Sequence, residues 1–238
     1  MTVLAIDTTS RLRCVVVLCE EDGRLLDAGV STVPVPGGAL AAHLGRVLAG
    51  DPRAGGGRAV SPQAADTRGT PEIDAVVVAY GPGSYTGVRA GMAAGLGIAQ
   101  AEDVPLHGIG SLEVIAHGAP PTLSTAIAVA AAGRGAVYAA RFLRSVESVP
   151  GGLVPNPASP ALRPGGLVTE PPRWLAAAAM TAAPDPVVSF DEIPIPRLVV
   201  LTDPAAALAA AVPAALARPA LPRVGLSAHH VAVYEQSW

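Results

Sequence analysis

The sequence predicts an α/β protein of two subdomains, each a mixed sheet flanked by helices. Three observations carry this. The chain opens with three short apolar runs separated by polar turns. It then alternates helix-period and strand-period segments, and a second unit starts near Pro120 with a new hairpin pattern. Half of the 238 residues are apolar but only 3% are aromatic, so the cores must be built from Ala, Val, Leu and Ile. A chain of this length buries a real core as one large domain or two small ones.

Taken in order, "VLAID" is a short apolar run ending in "TTS", as a buried strand does. "CVVVLCE" is a second strand, "EDGR" a turn with a glycine, and "LLDAGVST" a third strand returning antiparallel. Gly38 to Ala49 places Leu40, Leu44, Val47 and Leu48 at helical spacing. Asp51 to Pro71 lacks periodicity and reads as a long loop. "IDAVVVAY" is a buried strand, followed by a helix from about Thr86 to Glu102. "VPLHGIG" is another strand, and "SLEVIAHG" a helix with Ser111 as its cap and Glu113 in the first turn.

In the second unit, "TAIAVAAA" and "AVYAARFL" form a hairpin about a Gly-Arg-Gly turn. Val149 to Pro172 is dense in Pro and Gly. "PRWLAAAAM" reads as a helix, "RLVVLTD" as a strand, and "PAAALAAAVPAALA" as a helix interrupted by Pro213, while the tail "VGLSAHHVAVYEQSW" shows no period. This order fits the ribonuclease-H-like half of an actin/Hsp70/sugar-kinase-like fold. A Rossmann sheet needs a helix directly after the first strand, and here a strand follows. The expected division is residues 1–118 and 119–238, with a late helix packing back on the first subdomain.

Composition excludes several chemistries. The formal net charge of -3 gives no sign of a basic nucleic-acid surface. All 16 basic residues are arginine, so there is no Walker-type loop, no phosphate-binding lysine and no Schiff base. Cys14 and Cys19 read as buried free thiols. Met1 leads into "TVLAIDTTS" without a basic start or long apolar stretch, and Leu198 to Ala217 is broken by Asp203, Pro204 and Pro213. The expectation is a cytoplasmic protein that does not enter the membrane.

Ser84 and Ser227 both lack the G-x-S-x-G surround of a nucleophile elbow. The five histidines, His43, His107, His117, His229 and His230, form no metal-binding spacing. No catalytic residue, metal or cofactor is therefore expected. The segment "GPGSYTGVRAGMAAGLGIAQ" is the informative one. Gly81 and Gly83 let the backbone approach a ligand, and Ser84 or Thr86 can cap the helix behind them. Amides at such a helix start suit an anion. Arg89 in the first turn opposes the helix dipole and so is expected to pair with a carboxylate, a phosphate or a partner group.

Asp7, Thr8 and Thr9 could place a carboxylate and hydroxyls beside a metal-bound phosphate, but Thr8 stands where a phosphate-hugging glycine is usual and no glycine appears before Gly23. The reading for Asp7, Thr8, Thr9, Gly81, Gly83 and Ser84 is a vestigial nucleotide site. An actin-type ATPase or small-molecule kinase using the Asp7 turn and the Gly81–Ser84 loop is the alternative. Gly87, Gly91 and Gly95 recur every four residues, flanked by Ala90 and Ala94. Each interior glycine costs about 1 kcal/mol relative to Ala, so a close approach must compensate. A neighbouring helix of a partner is the expected cause, with packing on the protein's own sheet as the alternative, and Gly91→Leu is expected to abolish pairing without unfolding the chain.

The opening "VLAIDTTS" together with "GPGSYTGVRAGMAAGLGIAQ" resembles the bacterial TsaB (YeaZ) family, and "GIGSLEVIA" is similar to that family's "GVSSLEALA" segment. The resemblance covers about Thr2 to Ala116. It departs at Pro36 and Gly37, where the family often has "HS", and at Ala131 and Gly133, where it usually has Asp and Arg. What the resemblance implies is a non-catalytic scaffold in the synthesis of threonylcarbamoyladenosine next to the tRNA anticodon. It implies pairing with a TsaD-like catalytic subunit through Gly87, Arg89, Ala90, Gly91, Ala94 and Gly95. It further implies a TsaE-like ATPase joining the pair, homodimers in isolation, and tRNA reached only through the complex.

Overall fold

The computed structural model describes residues 1–32, 36–49, 71–144, 153–155, 173–177, 180 and 185–222. The first sheet is built from β1 (Thr2–Asp7), β2 (Cys14–Glu20), β3 (Leu25–Ser31), β4 (Ala75–Ala79) and β5 (Leu106–Ile109), in the order β3-β2-β1-β4-β5. The opening meander is antiparallel, and β4 and β5 run parallel to β1. Side chains alternate across the pleat with period two. Leu4, Ile6, Cys14, Val16, Val76 and Val78 point to one core, and Val3, Ala5, Val15, Val17, Ala75 and Val77 to the other. That is why these strands read as unbroken apolar runs: both faces are covered.

Helices α1 (Pro36–Ala49) and α2 (Tyr85–Ala101) cover one face. The other face is covered by α4 (Pro204–Leu216), which comes from the far end of the described chain and packs on β1, β2 and β3. Ala205, Ala207, Leu208, Ala209, Ala211, Val212 and Ala215 are all buried. Pro213 does not interrupt α4 as the sequence suggests. An interior proline removes one helical hydrogen bond and costs about 3 kcal/mol, but burial of the residues around it outweighs that loss. The Ala209 carbonyl, which Pro213 leaves without its helical donor, lies under the β2–β3 turn, 2.7 Å from where a Cβ on Gly23 would stand. Gly23, at φ 86°, is therefore held to glycine twice over.

The second sheet comprises β6 (Thr125–Gly133), β7 (Ala136–Arg144), β8 (Leu153–Pro155), β9 (Arg173–Ala176), β10 (Val187–Ser189) and β11 (Leu198–Val200). Its order is β11-β10-β6-β7-β8, with β9 also paired to β7. The short helix α3 (Ser111–His117) packs Leu112, Ile115 and Ala116 against it. Arg173–Ala176 is a strand, not part of the helix that "PRWLAAAAM" suggests, because the edge of β7 offers it an antiparallel ladder and tertiary pairing overrides weak propensity. The predicted loop from Asp51, most of the Pro/Gly-rich stretch after Val149 and the tail from 223 lie outside the described residues. Together the two helix-flanked mixed sheets form an actin-like α/β fold.

Candidate functional site

A cleft of about 250 Å³ lies where the two sheets meet. The β1–β2 turn lines it with Asp7, Thr9, Ser10 and Arg13, the loop before α2 with Gly83, and the start of α3 with Ser111. The second subdomain contributes Ala130, Ala131 and Gly133 from the β6–β7 hairpin and Asp191 from the segment after β10. The sequence-predicted nucleotide residues are thus close together. Their polar groups, however, mainly bond one another.

Asp7 Oδ1 accepts from the Thr9 amide at 2.8 Å and the Thr9 hydroxyl at 2.7 Å. The Thr8 hydroxyl points away from the cleft and donates to the Gly87 carbonyl at 2.6 Å. The Ser84 amide donates to the Thr9 carbonyl at 2.6 Å. Gly81 O takes the Ser111 amide at 2.9 Å, and Pro82 O takes the Ser111 hydroxyl. Ser84 is the N-cap of α2, its side chain accepting from the Gly87 amide at 3.4 Å. The Ser84 and Ser111 amides are therefore engaged in holding β1, α2 and α3 together. Ser111 does not cap α3; Gly110 occupies that place, and the Ser111 hydroxyl serves the loop instead.

The expectation that Gly87, Gly91 and Gly95 face a partner is corrected by their surroundings. All three are buried against the protein's own sheet. A Cβ on Gly87 would overlap the Thr8 carbonyl oxygen, one on Gly91 the Thr8 hydroxyl, and one on Gly95 the Val78 side chain. The stripe exists because α2 lies directly on β1 and β4. A leucine at Gly91 would break this packing rather than leave a folded monomer.

The opposite side of α2 faces outward. Tyr85 is 53% exposed, and Arg89, Ala93 and Gly97 are exposed with Ala90 and Ala94 half-buried beside them. Among the described residues Arg89 forms no ion pair with a carboxylate. It donates to the Tyr85 hydroxyl at 2.6 Å and lies 5.2 Å from the ring centre, a cation–π distance.

Other titratable groups are structural in setting. Cys14 and Cys19 lie in opposite cores and so cannot form a disulfide, and burial pushes both thiols up to about 12. Glu113 pairs with Arg218 across α3 and the exit of α4; burial raises its carboxyl above the ordinary range, against the pull of Arg218. Among the described residues no three His, Cys, Asp or Glu side chains group as metal ligands, and no helix is long and apolar enough to cross a membrane. Sequence reasoning missed Arg13 and Asp191. They are 178 positions apart, and only the folded chain brings them together.

This geometry defines an actin-like α/β protein whose cleft loops are bonded to each other. Solved structures share this architecture. YeaZ from Pseudomonas aeruginosa superimposes with a TM-score of 0.59 at 21% identity, covering 94% of this chain and 96% of that one. A second structure, described as an uncharacterized protein with similarity to peptidase YEAZ from Pseudomonas aeruginosa, gives 0.58 at 20% identity over the same shares. Residues 63–161 match the family TsaD, tRNA N6-adenosine threonylcarbamoyltransferase. An uncharacterized protein of Mycobacterium tuberculosis is 38% identical over 78 residues, 33% of this chain and 36% of its own length. One of Mycobacterium leprae is 43% identical over 76 residues, 32% of this chain and 20% of its own. The chain thus spans about a third or less of the curated relatives it matches.

Proposed function

We propose that this chain is a TsaB-type subunit, a non-catalytic scaffold that pairs with a TsaD-like transferase in forming N6-threonylcarbamoyladenosine in tRNA. The observation that carries the reading is the pairing of a YeaZ architecture over 94% of the chain with a match of residues 63–161 to the tRNA-modifying TsaD family. The engaged loop supports the non-catalytic part. The Ser84 amide ties the Gly81–Ser84 loop to the Thr9 carbonyl of the Asp7 turn, which weighs against the ATPase or kinase alternative.

The partner-facing surface is the outward side of α2, where Arg89, Ala90 and Ala94 lie with Ala93 and Gly97. Small residues there let another helix approach at short axial distance. A TsaE-like ATPase joins the pair, and tRNA is reached through the complex. Without its partner, the chain uses the same surface for a homodimer.

Co-expression of this chain with the TsaD-type transferase of its own organism, followed by size-exclusion chromatography with light scattering, tests the reading. A stoichiometric complex is expected. Two folded proteins that elute separately would overturn it. Calorimetry with Mg-ATP on this chain alone is expected to give no heat of specific binding, whereas tight binding with turnover lost in Asp7→Asn would return the kinase reading.

A further inference from the structure

The two subdomains are joined covalently where the chain leaves α3 for β6 and where it leaves β11 for α4. One charged contact also spans them at the cleft. Arg13, between the β1–β2 turn and β2, donates from Nη1 to Asp191 Oδ1 at 3.1 Å. The Ser10 hydroxyl reaches the same oxygen at 3.3 Å. Both charged side chains are largely buried, at 9% and 13% exposure.

Each partner has a second contact. The Arg13 guanidinium lies 4.8 Å from the centre of the Phe190 ring. Phe190 also packs against Gly118, at the crossing after α3, and sits between the cores of both subdomains. The Asp191 amide donates to the hydroxyl of fully buried Ser189 at 3.0 Å. Ser10 in turn accepts from the Leu12 amide at 3.1 Å, so its proton is directed to Asp191. Arginine suits this role: it keeps its charge at all working pH, and its planar group stacks on a ring while donating at its edge.

We propose that the Arg13–Asp191 pair, with Ser10 and Phe190, is a latch that fixes the angle between the two sheets, so that the chain behaves as one rigid body rather than as a hinged pair. A contact beside the crossing segments controls that angle directly, because it sits where rotation of one sheet on the other must begin. The size of the cleft agrees. At about 250 Å³ it is smaller than the roughly 300–1,000 Å³ of ordinary ligand pockets, and the latch holds it so. Breaking a largely buried pair leaves an uncompensated charge, which favours opening until water reaches the remaining partner. The latch belongs to this chain alone and does not rest on the partner proposed above.

The test measures the distance between the subdomains in the full chain. Spin labels go on Thr86→Cys, exposed in the first turn of α2, and Arg134→Cys, exposed at the tip of the β6–β7 hairpin. Cys14 and Cys19 are buried and take no label. The latched protein is expected to give one narrow distance distribution. Asp191→Asn, which keeps the shape and removes the charge, and Arg13→Met, which keeps an apolar stem on Phe190, are expected to broaden it and lengthen its mean. The charge-reversed pair Arg13→Asp with Asp191→Arg is expected to narrow it again. A latched protein already as broad as the variants, or an Asp191→Asn distribution unchanged from it, overturns the proposal.

Discussion

Glycine in α2 has opposite meanings at Gly87 and Gly97. At Gly87 the space for a methyl group is filled by the Thr8 carbonyl, a backbone atom that cannot swing aside. Gly87→Ala gains about 1 kcal/mol in helix propensity but overpacks a close contact, which costs about 1–3 kcal/mol and more against backbone. Urea denaturation should show it clearly less stable than the unmodified protein. At Gly97 nothing lies within 4 Å of the added Cβ. Gly97→Ala should stabilise by up to about 1 kcal/mol, and a loss there would mean that α2 is not exposed on that side.

The histidine on α1 is the second residue-scale case. His43 is buried against Gly29, and neither ring nitrogen has a partner among the described residues. Burial lowers its pKa, helped by the Arg46 charge on the same helix; Asp27 on β3 faces Arg46. The unfolded chain therefore takes the proton first, near the ordinary value of about 6.5. Stability should be full above that pH and fall as the pH drops below it, until native His43 titrates too. Melts of the protein and of His43→Leu between pH 7 and pH 5 should diverge in slope, with the variant the flatter. Equal slopes would place a hydrogen-bond partner on the imidazole.

Among the elements, α4 shows most plainly how context sets structure. It begins with Asp203, whose carboxylate accepts from the Ala206 amide at 2.9 Å, and Pro204 follows at the first helical position. Asp203→Ala should cost about 1 kcal/mol, read as a lower midpoint in urea with an unchanged slope. The helix is apolar all round, and its apolar run gave no reason to choose one face. Its alanines let it sit close to the first sheet, and that packing carries it through Pro213. The strand Arg173–Ala176 makes the complementary point, since four residues with helical propensity became strand at the edge of β7.

For the whole molecule, the surface that remains available on α2 is the outward one. A bulky residue there, Ala93→Trp, should leave the thermal midpoint within about 1–2 °C, as exposed substitutions usually do, while reducing co-elution with the TsaD-type protein by at least about tenfold. That loss is the counterpart of roughly 1.4 kcal/mol of binding energy. An intact complex would move the interface off α2. Thiol labelling offers an independent check on the integrity of each variant. Cys14 and Cys19 stay protonated, with values near 12, and should react with alkylating reagents only on unfolding.

The sequence by itself determined the three opening strands and the alternation of strand and helix from β4 to α3. These rest on local periodicity and turn chemistry, which neighbouring residues encode. It also located the loop at Gly81 and the special character of α2, because a regular run of glycines has a cost that demands a cause. Only the tertiary structure decided what that cause is. A glycine stripe records that something lies close, but not whether it is the protein's own sheet or another chain. The answer depends on Thr8 and Val78, which β1 and β4 carry to α2. The same holds for Arg13 and Asp191: a charge buried beside one 178 positions away leaves no local trace, since only folding removes both from water.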